Sequence, residues 1–148
     1  MSLFVLLIIV VESERSCTLV ASSSMAHIMP LTAAKLSCGT KTQPWILDAT
    51  PGQQIEVVLR DFGSKFGDET SRLCHQYGYI LEKLSNRNES ICGLASERKK
   101  RIFKSSSNSI EIVLTDNYLL QGVNNIRQNY LIGFRGKKHS IHKDIINL

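Results

Sequence analysis

The stretch from Pro44 to Phe62 constrains this chain more than any other. Pro44-Trp45-Ile46-Leu47-Asp48-Ala49 reads as a strand, Pro51-Gly52-Gln53 as a turn, and Ile55-Glu56-Val57-Val58-Leu59-Arg60-Asp61-Phe62 as a second strand. In the second strand Ile55, Val57 and Leu59 alternate with Gln54, Glu56, Val58 and Arg60. That period of two marks a strand with one face in a core and one in solvent. The alternation returns in Tyr77 to Leu84 (Tyr77, Tyr79 and Leu81 against smaller or polar neighbours), in Ser109 to Thr115 (Ile110, Ile112 and Leu114 inward) and in Asn129 to Phe134 (Tyr130, Ile132 and Phe134). Arg101-Ile102-Phe103 predicts a short strand ahead of the serine run Ser105-Ser106-Ser107. Ser37 to Gln43, Gly63 to Asp68 and Ser85 to Ser90 read as loops or turns. Met25 to Leu36 reads as irregular, with Pro30 breaking any helix. Asp116 to Arg127 is the least patterned part. Short strands separated by turn signals predict an all-β sandwich or barrel.

The chain has 148 residues, enough for one domain, and its 43% apolar content can supply a core. The net charge of +5 is spread along the sequence rather than gathered in the stripe that nucleic acid requires. Leu3 to Val11 is an unbroken apolar run. It is too short to span a bilayer and has the length of a signal-peptide core. Val11-Glu12-Ser13 offers a cleavage site after Ser13, although no Lys or Arg precedes the run. Residues 1–13 are therefore read as a signal peptide, which places the chain outside the cell. Four cysteines allow three pairings, and Cys17–Cys38 with Cys74–Cys92 is the simplest. Each such bridge closes a loop of about 20 residues, worth roughly 3 kcal/mol by chain entropy. Asn88-Glu89-Ser90 is an N-glycosylation acceptor between two cysteines.

Chemistry is sparse. The sequence has no G-x-S-x-G, H-E-x-x-H or P-loop, and no nucleophile sits beside His27 or His75. The expectation is a non-catalytic protein. His139 and His142 have helical metal-binding spacing, but with Asp144 as the sole acid in range they read as tail residues. Trp45 reads as a core aromatic packed against a disulfide. Arg98-Lys99-Lys100-Arg101 is the densest basic cluster. It reads as a solvated loop before a strand, or as a contact for sulfated glycan aided by Arg135, Lys137 and Lys138. A convertase-type cleavage site is the third reading.

Seven pieces of the chain, in order, resemble a CUB domain. They are Trp45-Ile46, Pro51-Gly52-Gln53-Gln54-Ile55, Asp61-Phe62, Cys74 to Tyr79, Ile91-Cys92-Gly93, Ser105 to Asp116, and Tyr130 to Phe134. The cysteine usual two residues before the aromatic is replaced by Gln43, as in a CUB-like subgroup with a Gln-Pro-Trp first strand. The resemblance implies an antiparallel jelly-roll β-sandwich, stapled by disulfides, found in secreted and cell-surface proteins. It implies an N-terminal segment over 14–37, the domain over 38–136 and a basic then apolar tail over 137–148. It also implies recognition of an extracellular or cell-surface protein, with a detached accessory domain of a secreted protease or receptor as an alternative. No cofactor is expected beyond calcium, which the family holds with three carboxylates. Glu69 and Asp116 occupy two of those slots, Gly78 replaces the middle aspartate, and Asp61 or Asp68 are the substitutes within reach.

Overall fold

The computed structural model describes residues 16–30, 33, 36–63, 75–94, 96–115 and 130–139. The proposed signal peptide, Asp68, Glu69, Cys74, Asp116 and His142 lie outside the described residues. The described strands are β1 (Thr18–Val20), β2 (Ala26–Ile28), β3 (Trp45–Asp48), β4 (Gln53–Asp61), β5 (His75–Glu82), β6 (Arg87–Gly93), β7 (Arg98–Lys104), β8 (Ser109–Leu114) and β9 (Tyr130–Lys138). They form a five-stranded sheet in the order β1-β3-β8-β5-β6 and a four-stranded sheet in the order β2-β9-β4-β7. Apart from the β5–β6 hairpin, successive strands fall in alternate sheets, so the chain crosses the core repeatedly. Every pair is antiparallel except β1–β3, which is parallel.

One core lies between the sheets. Trp45, Leu47, Tyr77, Ile80, Ile91, Ile110 and Ile112 enter it from the larger sheet, and Ile28, Ile55, Val57, Leu59, Phe103, Tyr130, Ile132 and Phe134 from the smaller. All are buried. Each large apolar side chain taken fully from water is worth about 1.5–3 kcal/mol, so this cluster is the main source of stability. The core face read along β4 is present, with Ile55, Val57 and Leu59 0% exposed. Of the other face only Arg60 is exposed, Gln54 and Glu56 being covered by neighbouring side chains.

The N-terminal segment belongs to the sandwich. β1 joins the larger sheet beside β3, and β2 joins the smaller beside β9. A disulfide joins Cys17 to Cys38. Pro30 does not break a helix but opens one: Pro30, Ala33 and Leu36 are helical. Proline is favoured at the first helical position because its missing N–H would have no partner there. Ser37 then takes φ 55°, and the Cys38 N–H donates back to the Ala33 carbonyl at 3.2 Å. That is the left-handed closure common at helix ends, and it aims Cys38 at Cys17.

Three further expectations change. The turn after β5 spans residues 83–86, closed by Asn86 at φ 52°, so Asn88 and Ser90 lie in strand β6 rather than in a turn. Strand β7 begins at Arg98, so the basic cluster is part of a strand and not a loop ahead of one. Strand β9 runs to Lys138, which brings Lys137 and Lys138 into the sheet.

Candidate functional site

Residues directly opposite one another on neighbouring strands project from the same face. On β4, Glu56 and Arg60 point away from the core. Across on β7, Glu56 faces Lys104, Val58 faces Arg101 and Arg60 faces Lys99. On the other side, Glu56 faces Arg135 and Gln54 faces Lys137 of β9. A β-bulge at Ile102 keeps this sorting: Phe103 enters the core while Arg101 and Lys104 stay outside. The outer face of the smaller sheet therefore gathers Arg60, Lys99, Arg101, Lys104, Arg135 and Lys137, so charge that is spread along the sequence is collected by the fold. Glu56 stands among Arg101, Arg135 and Lys137, and Glu97 lies beside Arg60 and Lys99.

Glu56 organises this face. Its Oε2 accepts from Arg135 Nε at 2.7 Å, Lys137 Nζ lies 3.1 Å away, and Arg101 Nη1 lies 3.7 Å from Oε1. Burial pushes the Glu56 carboxyl up, but hydrogen bonds and charge from Arg135 and Lys137 outweigh it and hold the pKa below the ordinary carboxylate value. Arg60 and Lys99 face each other with like charge, an arrangement that costs stability unless an anion sits nearby. Arg60 also lies 5.4 Å over the Phe62 ring. An open cleft of about 560 Å³ is lined by Arg60, Glu97, Arg98 and Lys99 at this end.

The two sheets differ in charge. Outward positions of the larger sheet include Ile46, Asp48, Tyr79, Leu81, Glu111 and Val113. Among the described residues these strand positions carry acids and apolar groups, not Lys or Arg.

The four clustered cations divide accordingly. Lys99 and Arg101 share the outer face. Lys100 pairs with inward-facing Leu59 and reaches solvent at the sheet edge, where a lysine discourages pairing with another chain. Arg98 is structural: its Nη2 donates to the Cys92 carbonyl at 2.6 Å, and its Nε is 3.7 Å from the Asp61 carboxylate. Asp61 is wholly buried. It accepts from the Tyr77 hydroxyl at 2.8 Å and from the N–H groups of Gly63 and Leu94 at 3.1 and 2.8 Å. Tyr77, turned inward at a bulge in β5, stacks on Tyr130 with centroids 4.1 Å apart. The bulge shifts the alternation, so Ile80 rather than Tyr79 or Leu81 follows Tyr77 into the core. Asp61 is thus committed to joining the sheets rather than offered as a substitute calcium ligand.

Gly78 accounts for the missing middle calcium ligand. A Cβ there would lie 2.1 Å from the Val113 carbonyl oxygen, so an aspartate has no room. Glu69, Asp68 and Asp116 are outside the described residues. Among the described residues no group of three or more His, Cys, Asp or Glu could hold a metal ion.

The remaining sites are quickly placed. Trp45 is buried in the same cluster as Cys38, beside the Cys17–Cys38 bridge. Cys92 is disulfide-bonded; Cys74, its expected partner, is outside the described residues. Asn88 is exposed on β6, opposite Leu81, on the larger sheet. His27 lies opposite Gly133, His75 meets Tyr77 edge-on at 5.5 Å, and His139 is exposed. The sequence reading missed Arg60 and Lys104 as members of the basic face. Alternation along β4 could have placed Arg60 outward, but which β7 residues face it depends on register.

No family model matches the sequence, and no curated protein matches it. Among solved structures, the chain is similar to the full extracellular region of zebrafish Gpr126/Adgrg6, with a TM-score of 0.44 and 14% identity. The overlap covers 83% of this chain and 15% of that one. Among the described residues no helix is long and apolar enough to cross a membrane.

Proposed function

We propose that this chain is an exported, non-catalytic recognition module of the CUB-like jelly-roll kind, and that it binds an anionic partner through the outer face of its smaller sheet. The observation that carries the reading is the contrast between the two outer faces. Six Lys and Arg share one, while the described outward strand positions of the other carry none, and its Glu111 is paired with Lys83 of the β5–β6 turn. A surface built this way steers and holds a partner of opposite charge. Export is supported by the apolar run Leu3 to Val11, the Cys17–Cys38 bridge and the exposed acceptor Asn88. The CUB-like assignment rests on the seven ordered sequence pieces; the arrangement of strands into two sheets around one core agrees with it.

The test is the mass of the secreted full chain, before and after reduction and deglycosylation. The expected result is loss of residues 1–13, no alkylatable thiol in the native material, and a mass drop when the Asn88 glycan is removed. Retention inside the cell with free thiols would overturn the reading.

A further inference from the structure

The proposed anionic partner can be narrowed by asking what the basic face lacks. We infer that it is a binding site for a sulfated glycan chain; this rests on the face being the contact surface, as proposed above. A protein–protein interface has a desolvated core rich in aromatic and apolar side chains and poor in lysine. This face has the opposite composition. Lys99, Lys104 and Lys137 sit among Arg60, Arg101 and Arg135, while the large side chains most exposed, Val20 and Leu84, belong to β1 and to the β5–β6 turn of the other sheet. Val58 and Leu131 between the cations are partly covered. A folded acidic partner would find charge here and a single half-exposed ring, Phe62, already lying under Arg60 at one end of the face, with no cluster of apolar anchors.

A polysulfated chain needs no such anchor. Its charges are dense, permanent and strung along an extended backbone. The cations lie on three adjacent strands about 4.8 Å apart. Lys99, Arg101 and Lys104 are on β7, Arg135 and Lys137 on β9 and Arg60 on β4, with successive outward positions about 7 Å apart along a strand. Gln54 and Lys137 stand at one end and Arg60 and Lys99 at the other, roughly 20 Å away. Arginine forks and lysine ammonium groups both donate to sulfate oxygens, and they release counterions when they do. Arg60 and Lys99 line one open cleft together with Glu97, and both cations can donate to a sulfate seated there. Glu56 fixes Arg135, Lys137 and Arg101 beforehand, which lowers the cost of ordering them on binding. A glycan on Asn88 stands on the other sheet and leaves this face open.

The test is a calorimetric titration of the secreted full chain with size-defined heparin fragments at several salt concentrations. Hyaluronan, which carries carboxylates without sulfate, and poly-glutamate are parallel probes. Two variants remove equal charge. One is Lys99→Gln/Arg101→Gln/Lys137→Gln on the face. The other is Lys41→Gln/Lys83→Gln/Lys100→Gln off it. Circular dichroism and melting confirm that both fold. The expected result is heparin binding weakened at least about tenfold in the face variant, with its salt slope reduced by about three, and near-native binding in the other. No heparin binding near physiological salt, or equal loss in both variants, overturns the inference. Poly-glutamate bound as tightly as heparin through the same residues also overturns it, while leaving the anionic-partner reading intact. If no polyanion binds, both readings of the face fall together.

Discussion

Glu82 offers the sharpest quantitative test of the fold. Its side chain is 0% exposed at the end of β5. Its two oxygens accept from the hydroxyls of Ser85, Ser106 and Ser107 at 2.5, 2.8 and 2.9 Å, and from the N–H groups of Ser106 and Ser107 at 2.9 and 3.0 Å. Arg87 lies 3.5 Å away. Burial raises the pKa, yet the hydrogen bonds from Ser85, Ser107 and Ser106 prevail and bring it from 4.5 down to about 2. At 1.36 kcal/mol per pH unit, that drop corresponds to about 3 kcal/mol of stability. The folded pKa lies below the unfolded one, so the contribution is complete above the unfolded pKa. It is lost as pH falls from 4.5 through about 2. Glu82→Gln keeps the shape but presents an amide to donors that need a carboxylate. Urea unfolding of native and variant protein, disulfides intact, should differ by about 3 kcal/mol at pH 7 and by under about 0.5 kcal/mol at pH 2. A gap that stays the same at both pH values would show that the charge of Glu82 does not hold the serine loop.

Three other outcomes follow from named contacts. Gly78→Asp should create no calcium site and should cost more than about 3 kcal/mol, because its Cβ collides with the Val113 carbonyl and forces β5 from β8; a melting scan with and without millimolar Ca²⁺ reads both effects. Tyr77→Phe removes a donor from the buried Asp61 carboxylate and should lower unfolding free energy by about 1.5–3 kcal/mol by denaturant titration, while the stacking on Tyr130 persists. Ser37→Gly should stabilise by about 0.5 kcal/mol, since glycine takes the left-handed conformation there without a Cβ penalty and gives back part of that gain as unfolded-state entropy; a lower melting temperature would refute this account of the helix end.

Local chemistry made some elements legible and hid others. The alternation of Ile55, Val57 and Leu59 was readable because a pleated strand puts every second side chain on one face, whatever its neighbours are. Pro30 was misread because the same ring that forbids a helix interior suits a helix start, and the difference lies in whether residues before it are helical. The extent of β6 and β7 was misread for a related reason. Arg87 to Ser90 and Arg98 to Arg101 carry no apolar alternation, and they are held as strands by ladders to β5 and β4 rather than by burial of their own side chains.

The cationic run Arg98 to Arg101 shows most clearly where sequence ends and structure begins. Its charge and its density could be read directly. Its division into a structural Arg98, an edge Lys100 and two outward cations depended on register, which is set by pairing with residues some forty positions earlier. The gathering of Arg60, Lys104, Arg135 and Lys137 around Glu56 likewise belongs to tertiary structure, because no local rule links β4 to β9. Sequence alone determined that the chain would build sheets with an apolar interior, since side-chain period and turn chemistry are properties of short segments. Only the folded arrangement decided which charges share a surface, because that depends on which distant strands hydrogen-bond and in which register.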